Sequence, residues 1–68
     1  MKRQAVSARM VKSLGWEDGI MEVEYISGLI HQYHQVTEAE FVRATTGNID
    51  KKVRLIGKSH PFTRVEKD

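Results

Sequence analysis

Residues 20–41 constrain the fold more than any other stretch of this chain. Met21, Val23 and Tyr25 fall on one side of an alternating segment, and Glu22 and Glu24 fall on the other. Period-two alternation predicts a half-buried strand over residues 20–26 with its carboxylates in water. Ser27-Gly28 then predicts a two-residue hairpin turn, because glycine enters positive φ without steric cost. Residues 29–36 return as the partner strand. Thr37-x-x-Glu40 is a capping box, and Val36 and Phe41 are placed as the matching hydrophobic staple. The predicted order is strand, turn, strand, capped helix.

The flanking segments extend this unit. Over residues 9–16, Met10, Lys12, Leu14 and Trp16 share one side, and Arg9, Val11, Ser13 and Gly15 share the other. The pattern predicts a strand that carries Leu14 and Trp16 into the core. Asp18-Gly19 is a strong hairpin signal. Links this short leave no room for a parallel crossover, so residues 9–16, 20–26 and 29–36 form an antiparallel meander. The third strand has no cleanly apolar side: Leu29, His31, Tyr33 and Gln35 oppose Ile30, Gln32, His34 and Val36. One of its faces is expected in the core and the other in a binding surface. A first helix spans residues 38–45, with Gly47 just past its end. Ile49, Val53 and Ile56 recur at helical spacing, so a second spans residues 50–56, with Gly57 as its stop. Proline biases His60 away from helix, and His60-Pro61-Phe62 is expected as an extended anchor that buries Phe62. Val65 adds a further contact. The fold class is α+β, in one domain over residues 1–68. The polar start, residues 1–7, and the end, residues 66–68, are expected to be flexible.

A chain of 68 residues buries a small core and commonly needs a metal, a disulfide or a partner subunit. Cysteine is absent, which excludes disulfides and thiolate zinc sites and leaves oligomerisation as the expected support. Met1-Lys2-Arg3 opens like a signal peptide, but no apolar run follows. No stretch approaches the roughly 18 apolar residues of a membrane helix. The expectation is a cytoplasmic protein without a membrane partner.

Net charge is only +2, yet the charges are segregated. Lys2, Arg3, Arg9 and Lys12 open the chain with no acid among them. Acids dominate the middle, and Lys51, Lys52, Arg54, Lys58, Arg64 and Lys67 dominate the end. A basic face attracts polyanions or small anionic ligands, although segregated charge also simply keeps a small domain dissolved. Tyr33 offers a flat ring beside those cations, as in many modules that hold single-stranded nucleic acid. Its alternative role is in the core. His31 and His34 are three apart on a strand and so face opposite ways, which argues against a shared metal. Glu22 and Glu24 share a face, but a solvated surface explains them without acid–base chemistry. The serines lie in no nucleophile elbow, and the glycines form no phosphate-cradling loop.

Four segments resemble the KTSC domain, a family named for its occurrence at the C-terminus of some lysyl-tRNA synthetases. They are Ser13-Leu14-Gly15-Trp16, then Met21-Glu22-Val23-Glu24-Tyr25-x-Ser27-Gly28, then Ile30-His31-Gln32-Tyr33-x-x-Val36, and finally Ile56-Gly57-Lys58-Ser59-His60-Pro61-Phe62. The family's central Tyr-x-Tyr stands here as His31-Gln32-Tyr33, and His60 stands where an aromatic precedes the proline. The resemblance implies a small bacterial or phage protein. It implies RNA binding through the synthetase fusions, and no established activity.

Together these readings favour a non-enzymatic module that binds RNA through its basic C-terminal segment, with no cofactor and no metal. The expected ligand-binding residues are Lys51, Lys52, Arg54, Lys58, Arg64, His31 and Tyr33. The alternative is a homo-oligomeric, phage-encoded protein that captures a small anionic ligand such as a nucleotide.

Overall fold

The computed structural model describes residues 1–65, so the flexible end expected at residues 66–68 lies outside the described residues. The elements run β1 (Gln4–Ala5), β2 (Val11–Glu17), β3 (Ile20–Tyr25), β4 (Ile30–Tyr33), α1 (Glu38–Ala44), α2 (Ile49–Ser59) and β5 (Phe62–Val65). The strands form one antiparallel sheet in the order β1-β2-β3-β4-β5. The expected α+β meander with two short helices is therefore present. Two further strands extend it: β1 within the polar N-terminal segment, and β5 beyond the proline.

Turn chemistry sets the register. Asp18 and Gly19 both adopt positive φ, at 50° and 81°, and join Glu17 to Ile20 across the β2–β3 hairpin. Two positive φ values match the right-handed twist of the strands they connect. The β3–β4 turn is wider than the two residues expected. Gly28 N–H donates to the Tyr25 carbonyl, and Tyr25 N–H donates to the Leu29 carbonyl, so Ile26 belongs to the turn and is exposed. β4 also stops early, at Tyr33. Gln35 takes a φ of 59°, which turns the chain out of the ladder, while Val36 N–H bonds the Gly19 carbonyl and its side chain is buried.

A bulge corrects the expected facing of β2. Val11 pairs with Tyr25 and Ser13 with Glu24, so Lys12 is an extra residue on its strand. The alternation shifts phase there. Val11 joins Leu14 in the core, each 1% exposed, whereas Met10 faces solvent. The core also holds Met21, Val23, Tyr33, Val36, Ala44 and Val53, with Trp16, Phe41, Ile49 and Ile56 partly buried against it. Trp16 anchors its indole N–H on the Val36 carbonyl at 2.8 Å.

The capping box forms as the sequence predicts. Glu40 N–H donates to Thr37 Oγ1, and Thr37 N–H donates to Glu40 Oε1 at 3.0 Å. α2 begins behind a different cap: Asn48 Oδ1 accepts from Lys51 N–H. It then runs past Gly57 to Ser59. Gly57 is not a stop but a close-packing position. A β-carbon there would lie 3.1 Å from Tyr33 Cε1, so glycine lets α2 rest on the tyrosine ring.

The outer face of the sheet corrects a second expectation. Glu22 and Glu24 do not stand in water. Arg3 reaches both, with Nη1 3.0 Å from Glu22 and Nη2 3.8 Å from Glu24. Ser13 hydroxyl donates to Glu24 and Gln32 amide donates to Glu22. The N-terminal segment lies over Gly15, where a β-carbon would meet the Lys2 carbonyl at 2.6 Å. A glycine in β2 is thus what lets the backbone of residues 2–3 approach and close this network.

Candidate nucleic-acid interface

The helix-covered side of the sheet carries Tyr25 from β3, His31 and Tyr33 from β4, and Phe62 and Arg64 from β5. Register places them together: Val23 opposes His31, His31 opposes Arg64, and Tyr33 opposes Phe62. Toward the α1 end this face is filled by the core. Toward the β5 side it opens into a cleft of about 610 Å³ between the aromatic residues and α2.

The floor of the cleft is an aromatic cluster. His31 and Phe62 stack with centroids 4.7 Å apart and planes at 29°, while Tyr25 and Tyr33 meet His31 edge-on. Tyr25 and Tyr33 share a hydroxyl–hydroxyl hydrogen bond of 2.7 Å, and the Tyr33 hydroxyl lies 3.2 Å from His31 Nδ1. Burial and the bond to Tyr33 push the Tyr25 phenol well above its ordinary range. Burial first, and the neighbouring Arg64 charge second, lower the His31 pKa and favour its neutral form. Phe62 was expected to be buried; it is instead 54% exposed and presents apolar ring surface beside the opening.

The rim is basic. Lys51, Arg54 and Lys58 line the cleft from α2, and Arg9 lines it from the segment before β2. Asp50 is the one acid among the described residues of this lining, and its carboxylate is occupied. Backbone N–H groups of Arg9, Met10 and Val11 donate to it at 2.9, 3.1 and 3.2 Å. Burial pushes the Asp50 pKa up, and those three donors together with the Arg9 charge pull it further down, for a net lowering. Asp50 is thereby a strut between α2 and the β2 entry. Ion pairs among the described residues gather elsewhere: Arg3 with Glu22 and Glu24, His60 with Glu40, and the terminal amine with Glu17.

No known protein-family model matches the chain, and no curated protein matches it in sequence. The site's chemistry therefore rests on its own geometry.

Of the seven residues expected to bind ligand, the structure brings five to one cleft: Lys51, Arg54, Lys58, His31 and Tyr33. Tyr33 is 6% exposed, belongs to the core cluster and also lines the cleft, so it serves core and cleft together. Arg64 is exposed and lies beside His31 on β5, outside the cleft lining. Lys52 turns away, and its Nζ donates to the Thr46 carbonyl at 2.8 Å past the end of α1. Sequence reasoning missed Arg9, Tyr25 and Phe62 as lining residues. Arg9 is distant in sequence and is drawn in by Asp50. Phe62 could have been found by pairing its strand with β4, which sets it opposite Tyr33.

The other histidines serve structure. His60 bridges the His34 carbonyl through Nδ1 and Glu40 Oε2 through Nε2, at 3.0 and 2.9 Å. His34 Nε2 pairs with the Thr63 hydroxyl at 2.8 Å. Among the described residues no helix is long and apolar enough to cross a membrane.

Proposed function

We propose that this protein is a non-enzymatic module that binds single-stranded RNA in the cleft between α2 and the sheet. One observation carries the reading: Lys51, Arg54, Lys58 and Arg9 surround a floor of His31, Tyr33 and Phe62, and the Phe62 ring is open to solvent. Cations that track a phosphate backbone beside an aromatic face are the common solution for holding unpaired bases. Stacking on Phe62 tolerates any base, so the reading is of a module with little sequence preference. The resemblance to the KTSC domain, with its synthetase fusions, supports RNA over DNA. The lack of cysteine fits a cytoplasmic setting.

Fluorescence anisotropy with a labelled single-stranded RNA tests this. Three phosphate contacts from α2 give a log–log salt slope of about −2. The combined change Lys51→Glu, Arg54→Glu and Lys58→Glu abolishes binding and leaves the circular dichroism spectrum unchanged. Binding that survives all three changes, or that is insensitive to salt, overturns the reading.

A second reading has one observation in its favour. A cleft of about 610 Å³ lies within the size range of small-molecule sites. In that reading the protein is a phage-encoded homo-oligomer that captures a nucleotide. A thermal-shift series with nucleotides separates the two, since a tight small ligand raises Tm by mass action where the RNA reading predicts little effect from mononucleotides.

A further inference from the structure

The two edges of the sheet differ. β1 is two residues long, and so short an edge offers little for another strand to pair with. β5 is four residues long, with Phe62, Thr63 and Arg64 all exposed. Its backbone polarity follows from its ladder. His34 N–H donates to the Pro61 carbonyl, and hydrogen-bonded pairs alternate along an antiparallel ladder. Thr63 and Val65, opposite Gln32 and Ile30, therefore turn their N–H and C=O groups toward β4. Phe62 and Arg64 turn theirs outward, to an edge that no strand among the described residues covers.

A second copy of the same edge can satisfy those outward groups in three twofold registers. Centring on Phe62 carries the ladder back to His60, the C-cap of α2, where the chain leaves the sheet. Centring on Arg64 sets two guanidinium groups directly opposite, and like charges across a ladder are destabilising. Centring on Thr63 pairs Phe62 with Arg64 of the second copy, twice by symmetry. All outward groups of Phe62 and Arg64 are then bonded, and each guanidinium lies beside an aromatic ring that attracts it.

We propose that two copies of this chain associate through β5 in antiparallel register centred on Thr63, so that Arg64 of each copy completes the aromatic–basic cleft of the other. The result is a continuous ten-stranded sheet with two clefts related by the twofold axis. This gives the homo-oligomer of the second reading a definite interface, and it does not depend on which anion the cleft takes. A ladder this short buries less than the roughly 1,200 Å² of a stable interface, so the free dimer is weak and concentration-dependent.

Disulfide trapping tests the register directly, because the chain has no cysteine to confuse it. Thr63 opposes its own symmetry mate in a non-hydrogen-bonded pair, where Cα atoms lie about 4.5 Å apart, within the span of a disulfide. Phe62 and Arg64 are each displaced by two residues from their own mates, beyond bridging distance. Under mild oxidation without RNA, Thr63→Cys should crosslink about tenfold faster than Phe62→Cys or Arg64→Cys. Equal rates at the three positions, or a faster rate at either flanking one, overturn the proposal. Arg64→Pro supplies an independent check. The lost N–H faces the free edge, so the ladder to β4 keeps its bonds while edge pairing is blocked. Sedimentation should show the wild type self-associating at high concentration and Arg64→Pro remaining monomeric; equal association of the two overturns the interface. Trapping that succeeds while RNA binding fails overturns the RNA reading alone, and the converse overturns the dimer alone.

Discussion

The two faces of this sheet handle charge in opposite ways. On the outer face, Glu22 and Glu24 are covered by the N-terminal segment and answered by Arg3, Ser13 and Gln32. On the helix side, Lys51, Arg54, Lys58 and Arg9 stand around a cleft, and the one acid among the described residues that line it, Asp50, is held by backbone donors. The first arrangement spends its charge internally and holds the fold together. The second leaves positive charge facing outward beside exposed aromatic surface. A buried charge with a partner is part of the architecture, whereas like charges around an open cavity are available to a ligand, which is what the proposed function uses.

Breaking the outer face should have the largest effect. Arg3→Ala removes the guanidinium that reaches Glu22 and Glu24 under the N-terminal segment. Hydrogen bonds to charged groups are worth about 1.5–3 kcal/mol, and urea melts should show a loss of that order. In a domain this small that is a large share of total stability. RNA affinity of the folded fraction should not change. A loss of binding without a loss of stability would mean that the outer face belongs to the site.

Phe62→Ala tests the opposite face and should give the opposite pattern. Base–aromatic stacking is worth about 1–3 kcal/mol per base, and anisotropy should show that loss. Thermal stability should fall less, because about half of the Phe62 surface is already in water. If Tm collapses while the residual folded protein binds normally, Phe62 is a structural anchor after all.

These contrasts also show why some features were legible in the sequence and others were not. Asp18-Gly19 and Thr37-x-x-Glu40 are local devices: a few adjacent residues satisfy one another, and both form as predicted. The extra strands are not local. Gln4 and Ala5 carry no alternation, and β1 exists because Leu14 and Ser13 offer a free edge to them. The bulge at Lys12 is equally silent, since only the partner strand reveals that one residue is unpaired. Glu22 and Glu24 looked solvated because the residue that covers them lies some twenty positions earlier. Of the cleft, the run of cations in α2 and the pair His31 and Tyr33 on β4 were readable. Arg9, Tyr25 and Phe62 were not, because the Asp50 bonds and the strand ladder bring them in from distant positions.

The junction between α1 and the β4 exit sharpens the comparison through pH. Glu40 is pulled below its ordinary value of 4.5 by the Thr37 N–H, then by His60. A carboxylate with a depressed folded pKa contributes stability at pH values above its ordinary one. That contribution is lost as pH falls through the folded value. Stability should therefore drop on acidification below about pH 4.5, and Glu40→Gln should flatten part of that limb. Asp50, lowered as well, should keep the rest. Thr37→Ala should cost about 1 kcal/mol in the same melts through loss of the cap. An unchanged acid limb in Glu40→Gln would show that neither the Thr37 nor the His60 bond holds the Glu40 carboxylate in solution.

The smallest expected effect is also the most discriminating. Lys52 belongs to the same basic run as Lys51 and Arg54, and a reading by net charge alone treats the three alike. The structure separates them: Lys51 and Arg54 line the cleft, while the Lys52 ammonium sits on the Thr46 carbonyl. Lys52→Ala removes one exposed hydrogen bond and should change stability by less than about 0.5 kcal/mol. It should leave RNA affinity at the wild-type level apart from a small general charge effect. Lys58→Ala removes the same charge from the cleft rim and should weaken binding and flatten the salt slope by roughly 0.7. Paired salt titrations of the two variants separate position from charge. Equal weakening by both would mean that the ligand feels only the overall field of α2, and the cleft would lose its claim to be the site.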